Sequence, residues 1–244
     1  GYGWIIYEIL SGHYFEALKD TRFVFEGVFL SLHFEYFIDK KIYEKIGRYG
    51  DIGLKTEILE FVENLREVGR KLSKQTEMKK AQRSIRKKVK RFIEHSDLPT
   101  GEKKRFIELY TEILCQPELY WSVSKIIQQY GDAFNLKKKQ IRAMEKAWNE
   151  LSSFTHFSSK FFDAILRRPE LMFINMFDSE LFKKCVEHQF LTFEILCAVL
   201  AIHFPKMKRR VEEILEWWEE NASRKFEITK KVLETLKTLD SFTE

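Results

Sequence analysis

The chain has 244 residues, 44% of them hydrophobic with 22 Phe, enough to bury a substantial core, and carries a formal charge of +5 at pH 7. With 10 Gly and 4 Pro, it is too poor in turn formers for a β-sandwich or barrel of many tight turns. Three cysteines in apolar contexts, Cys115, Cys185 and Cys197, with no C-x-x-C pair, exclude a disulfide framework and argue for buried thiols in a reducing compartment.

Apolar residues recurring at helical spacing predict a first long helix from about Trp4 to Asp39, kinked at Ser11-Gly12. Inside it Arg22 and Glu26 stand one helical turn apart among Phe23, Val24, Phe25, Val28 and Phe29. Such a setting predicts burial, and a buried ion pair is costly unless further partners satisfy it. The pair therefore either lines a polar pocket or locks helices together.

Gly47 to Gly53 reads as a connector. A second helix starts near Leu54, with an apolar stripe through Ile58, Phe61, Val62, Leu65, Val68 and Leu72. The stripe resumes at Met78, Ile85, Val89, Phe92 and Ile93, so 54–96 is one very long helix or two joined near Ser73 to Thr76. Between Arg66 and Arg91, twelve basic residues face only Glu67 and Glu77, a formal +10 in 26 residues. The rest of the chain sums to −5. A helix so charged can neutralise several phosphates. Lys79, Lys80, Arg83, Arg86, Lys87, Lys88, Lys90 and Arg91 are the candidate polyanion-binding residues. With no aromatic residues interleaved on that face, base stacking with a single strand is disfavoured.

Pro99 and Gly101 end this region and Thr100 can cap the next helix. Helices follow at about 101–115, 118–130 and 136–156, then a less regular stretch from Phe157 to Met176. Asp178 or Ser179 caps a buried helix running to His203, and further helices occupy about 205–221 and 224–239. The apolar run Phe190 to Phe204 contains Glu194 and His203 and falls short of the roughly 20 residues of a membrane span. His188 and His203 read as satisfied core polar residues. Trp217-Trp218 cannot place both rings on one helix face, so one is expected inside and the other partly exposed. Gly1 to Leu10 show no basic leader segment. The expected location is the cytoplasm, with no membrane contact.

His156, four residues after Ser152 near a predicted helix C-terminus, could act as a base or a phosphate ligand, or cap the helix and bond Glu26. Arg-x-x-x-Glu at Arg22 and Glu26, taken with Leu-Ser-x-x-x-His at Ser152 and His156, resembles a group of prokaryotic, often archaeal, helical proteins. Some of these are related to the HEPN superfamily of helical nucleotide-binding or RNase modules. The resemblance covers two windows of about twenty residues. It implies an up-and-down bundle, frequently dimeric, whose polar residues meet between helices. Active HEPN ribonucleases carry Arg, four to six residues and then His. Here Arg91 to His95 leaves three residues and Arg22 to His33 leaves ten, so the activity is not carried over.

No Glu-x-x-His, P-loop, G-x-S-x-G or H-E-x-x-H is present, and neither metal nor cofactor is expected. The expectation is an all-α, up-and-down bundle in one domain, 1–244, with a protruding antiparallel hairpin at 54–96 and the rest of the bundle at 101–244. Its expected role is a non-catalytic module that contacts nucleic acid, RNA or DNA, or another polyanion through the basic helix 66–91. The alternatives are a HEPN-like nuclease or nucleotide-acting enzyme using Arg22, Glu26 and His156, and a self-associating scaffold that forms a homodimer.

Overall fold

The structure, a computed structural model, describes residues 2–34, 52–96, 99–155, 177–223 and 225–240. Among these the regular structure is entirely helical. We number the helices α1 (Tyr2–Leu10), α2 (Tyr14–Ser31), α3 (Ile52–Gly69), α4 (Met78–Glu94), α5 (Thr100–Leu114), α6 (Val123–Ala133), α7 (Lys138–Thr155), α8 (Ser179–His203), α9 (Lys208–Ala222) and α10 (Glu227–Asp240). Single 3-10 turns at Arg70–Ser73, Pro117–Tyr120 and Pro205–Met207 link neighbouring helices. The chain packs as two compact units: Gly1–His33 with Val123–Glu244, and Phe34–Ser122.

The expected long first helix is broken, not kinked. Gly12 takes φ 80, a conformation that disfavours side chains. Its N–H bonds Ile9 O at 3.3 Å while His13 N–H bonds Glu8 O at 2.8 Å. This is the Schellman pattern that terminates a helix. Asn135, with φ 52, ends α6 in the same way: Leu136 N–H bonds Gly131 O at 2.8 Å. Of the expected helix, residues 35–39 lie outside the described residues, as do most of the Gly47–Gly53 connector and all of Phe157–Met176. Gly53 is already helical, within α3.

In the larger unit α8 is the central helix, packed against α1, α2, α9 and α10, while α2 also packs on α6 and α7. Phe29 meets Tyr130 edge-on at 5.7 Å and Phe25 stacks on Trp148 at 6.4 Å. By length and composition α8 could cross a membrane, with a window of mean hydropathy 1.6, half of it buried. The apolar stretch is thus longer than the Phe190 to Phe204 run. Its polar groups find partners inside this unit. Asp178 caps its N-terminus by accepting from the Glu180 and Leu181 amides at 2.9 Å. Glu194 accepts from the Ile228 amide at 2.6 Å at the start of α10, where the helix dipole favours a carboxylate.

The smaller unit is built on α3, α4 and α5. The 54–96 region is two antiparallel helices: Phe61 lies edge-on to Phe92 at 4.8 Å, and Lys88 Nζ reaches Asn64 O at 3.5 Å. The turn falls at Arg70–Ser73 and the residues just after it. The hairpin is not bare, because α5 packs on both of its helices. Its apolar stripes, including Leu65, Ile85 and Val89, enclose a core with Tyr110, Ile113 and Tyr120. Gly69 makes this closure possible, since a Cβ there would collide with the Tyr120 ring.

Candidate polyanion interface

Helix α4 buries Ala81, Ile85, Val89 and Ile93 along one stripe, the i, i+4 spacing that keeps one face inward. Every candidate basic residue on it, Lys79, Lys80, Arg83, Arg86, Lys87, Lys88, Lys90 and Arg91, is exposed. At 100° per residue, Lys80, Arg83, Lys87 and Arg91 lie nearly opposite the buried stripe. Lys79, Arg86 and Lys90 flank one side and Lys88 the other. From Lys79 to Arg91 the row spans about 18 Å of helix.

Few carboxylates interrupt it. Lys90 pairs with Glu94 at 3.5 Å, and Glu77 lies 3.8 Å from both Lys71 and Lys74 in the preceding turn. Among the described residues, none of Lys79, Lys80, Arg83, Arg86, Lys87 and Arg91 pairs with an acid. The whole formal excess of the chain falls in this unit. Phe34–Ser122 holds twenty basic and fifteen acidic residues, and the remainder twenty-two of each. Phe92 is half exposed, but its edge contact with Phe61 holds it beside the buried stripe, one turn from Lys88 and away from the cations opposite that stripe.

In the other unit, Arg22 and Glu26 do pair, at 3.3 Å, with side chains 15% and 19% exposed. The guanidinium lies 5.1 Å from the Trp148 ring of α7, close enough for a cation–π contact. Arg22 Nε is buried without a hydrogen-bond partner among the described residues. The arrangement ties α2 to α7. Ser152 is half-buried on α7. His156 lies outside the described residues, so whether it joins Arg22 and Glu26 is not part of this geometry.

A second polar pair escaped the sequence reading. His188 on α8 meets Glu150 on α7 at 3.2 Å, Nε2 to Oε2. Burial pushes the imidazole below its ordinary value, and Glu150 partly offsets this. Beside it Gln189 donates to Thr21 Oγ1 at 2.6 Å, and Thr21 donates to Ala17 O at 2.6 Å. His188 is thus a satisfied core residue, but its partner is Glu150, 38 positions away, which no local pattern announces.

Burial raises all three thiols, Cys185 to about 12 and Cys197 to about 11, so none supplies a thiolate near neutrality. Among the described residues no group of three or more His, Cys, Asp or Glu could hold a metal. No family model, no curated protein and no solved structure matches the chain.

Proposed function

We propose that the protein is a binding module that engages nucleic acid, or another polyanion, through the outward face of α4. The observation that carries this reading is the display of eight exposed cations on a helix with one buried apolar stripe, four of them nearly opposite that stripe. The stripe fixes the direction in which the charge points. Such a face recognises spaced phosphates and not base edges, so it suits a duplex backbone better than stacked single-strand bases.

The alternative, a HEPN-like nuclease or nucleotide-acting enzyme, would rest on Arg22, Glu26 and His156. Arg22 and Glu26 direct their charges at each other, an arrangement suited to a structural lock.

The test is binding of a labelled DNA duplex and a random RNA across a salt series, with RNA integrity followed in the same samples. If four phosphates meet Lys80, Arg83, Lys87 and Arg91, log K should fall against log salt with a slope of about −4. Reversing Lys80, Lys87 and Arg91 to Glu should abolish binding and leave the fold intact, since all three are exposed. Unchanged binding by that variant would remove α4 as the contact surface, and cleavage of the RNA would move the reading to the enzyme.

A further inference from the structure

The corner between α8 and α9 carries an apolar tip ringed by cations. Helix α8 ends at His203, since Pro205 disfavours a helical conformation in the residue before it. Phe204 takes φ −124 and ψ 87. The single 3-10 turn Pro205–Met207 then closes with the Met207 N–H bonding Phe204 O at 2.8 Å. Residues three apart on such a turn point the same way, so Phe204 and Met207 share the outer side of the corner. They are 55% and 38% exposed. Around them stand Lys206, Lys208, Arg209 and Arg210, and no acid occurs between Glu194 and Glu212. Lys206, Arg209 and Arg210 are exposed. Arg209 and Arg210 share one carboxylate, that of Glu213, at 3.3 and 2.9 Å.

Neither half of this arrangement serves the fold. The turn is held by backbone hydrogen bonds, and its two large apolar side chains are left facing water. Lys208, Arg209 and Arg210 fill the first turn of α9, where the helix dipole favours acids, and the acids of α9 begin only at Glu212. A local choice that works against its own helix points to a partner outside the fold.

We propose that this corner is a peripheral contact site for an anionic lipid surface. Phe204 and Met207 enter the boundary between headgroups and acyl chains, and the surrounding cations meet the lipid phosphates. Apolar side chains framed by Lys and Arg are the composition that adsorbs to such an interface, and each cation close to it adds to the attraction. The long stems of Lys206 and Arg209 let their charged heads stay at phosphate level while the apolar pair goes deeper. Charge selects among occupants, because a surplus of cations finds no complement on a basic or neutral partner. A single strand of nucleic acid would need several aromatic faces on which to stack its bases. Among the described residues, Phe204 is the only exposed Phe, Tyr or Trp at this corner. The contact needs no spanning segment, and it stands against the expectation of no membrane contact. It lies in the larger unit, so the proposal does not depend on what α4 binds.

The experiment is flotation of the whole chain with vesicles of phosphatidylcholine, with and without phosphatidylglycerol. The expected result is flotation with the anionic vesicles alone, lost at high salt. Phe204→Asp/Met207→Asp should weaken that binding more than about tenfold and leave helicity unchanged, because both side chains are exposed. Should that variant fail to fold, Lys206→Ala serves, with binding weakened about fivefold. The α4 variant Lys80→Glu/Lys87→Glu/Arg91→Glu should float as wild type does. No flotation with anionic vesicles overturns the proposal, as does equal flotation with neutral ones. Loss of flotation in the α4 variant, with the Phe204/Met207 variant unaffected, overturns it in favour of adsorption through α4. A Phe204/Met207 variant that floats normally but no longer binds single-stranded RNA overturns it in favour of base stacking.

Discussion

Removing the charge of Arg22 tests whether the Arg22–Glu26 pair holds the larger unit together. At 3.3 Å the gross Coulomb attraction is about 5 kcal/mol at an effective dielectric of 20. Desolvation of two largely buried groups offsets most of that, and the contact with Trp148 adds about 1 kcal/mol. Arg22→Met keeps the aliphatic stem over Trp148 and strands the Glu26 carboxylate. It should cost about 2 kcal/mol, below the 3–5 of a fully buried broken pair, because 19% of the Glu26 side chain still reaches water. Arg22→Ala loses the stem as well and should cost about 3 kcal/mol. The sharper expectation concerns the double variant Arg22→Met/Glu26→Gln. With no stranded charge left, it should be more stable than Arg22→Met alone, a coupling of about 1 kcal/mol.

Urea unfolding followed by tryptophan fluorescence reads this directly. Trp4, Trp148, Trp217 and Trp218 all belong to the larger unit, and only Trp121 lies in the other. A 2 kcal/mol loss would lower the thermal midpoint by roughly 4–8 °C. If Arg22→Met unfolds within 0.5 kcal/mol of wild type, a margin typical of neutral surface changes, the pair locks nothing. A double variant whose loss equals the sum of the single losses would show that the two side chains act separately.

Two other substitutions probe the packing. Gly69→Ala should destabilise the smaller unit by about 1–3 kcal/mol despite a helix-propensity gain of about 1, because the new methyl collides with the body of the Tyr120 ring. The Trp121 signal in denaturant reports it, and an unchanged midpoint would mean that the ring moves freely. Glu8→Gln should stabilise the chain at pH 7 and give no gain at pH 4. Burial, and then Asp20, raise the Glu8 carboxyl above its ordinary 4.5, so the folded state holds its proton to higher pH than the unfolded state. Stability from this group is therefore lost as pH rises past 4.5. Equal effects of the substitution at the two pH values would refute the assignment.

The elements were largely legible in the sequence because period and punctuation agree. Asp178 before an apolar run gave the start of α8, and Pro99 marked the entry to α5. Pro99 itself takes the cap position, and Thr100, expected as the cap, is the first helical residue. The opposed faces of Trp217 and Trp218 followed from spacing alone: Trp218 packs against Phe190 and Phe226 while Trp217 is exposed. The break at Gly12 was under-read, because a single glycine in an apolar run looks like a kink until its φ is known. The exposure of the basic face was readable, since Ile85, Val89 and Ile93 dictate which side of α4 is hidden. Long-range polar pairing was not. Glu150 with His188, and Glu194 with the start of α10, join residues 38 and 34 positions apart, and only the packing of helices brings them together.

The cost of the basic face strengthens the reading of α4 as a contact surface. Along it, Arg83 has like-charged neighbours at Lys79, Lys80, Arg86 and Lys87, and Lys90 and Arg91 extend the series. Eight such pairs stand three or four residues apart, each opposing the helix by about 0.2–0.5 kcal/mol, or about 2–4 kcal/mol together at low salt. Lys90–Glu94 returns only a fraction of that. What holds α4 helical is therefore the burial of Ala81, Ile85, Val89 and Ile93, since a fully buried Ile or Val contributes about 1.5–3 kcal/mol. A packed stripe of that strength can carry a repulsive outer face. An anion laid along that face would relieve the repulsion as well as gain its own contacts, so binding should stabilise α4; added salt should weaken that binding while relieving the repulsion in the free helix.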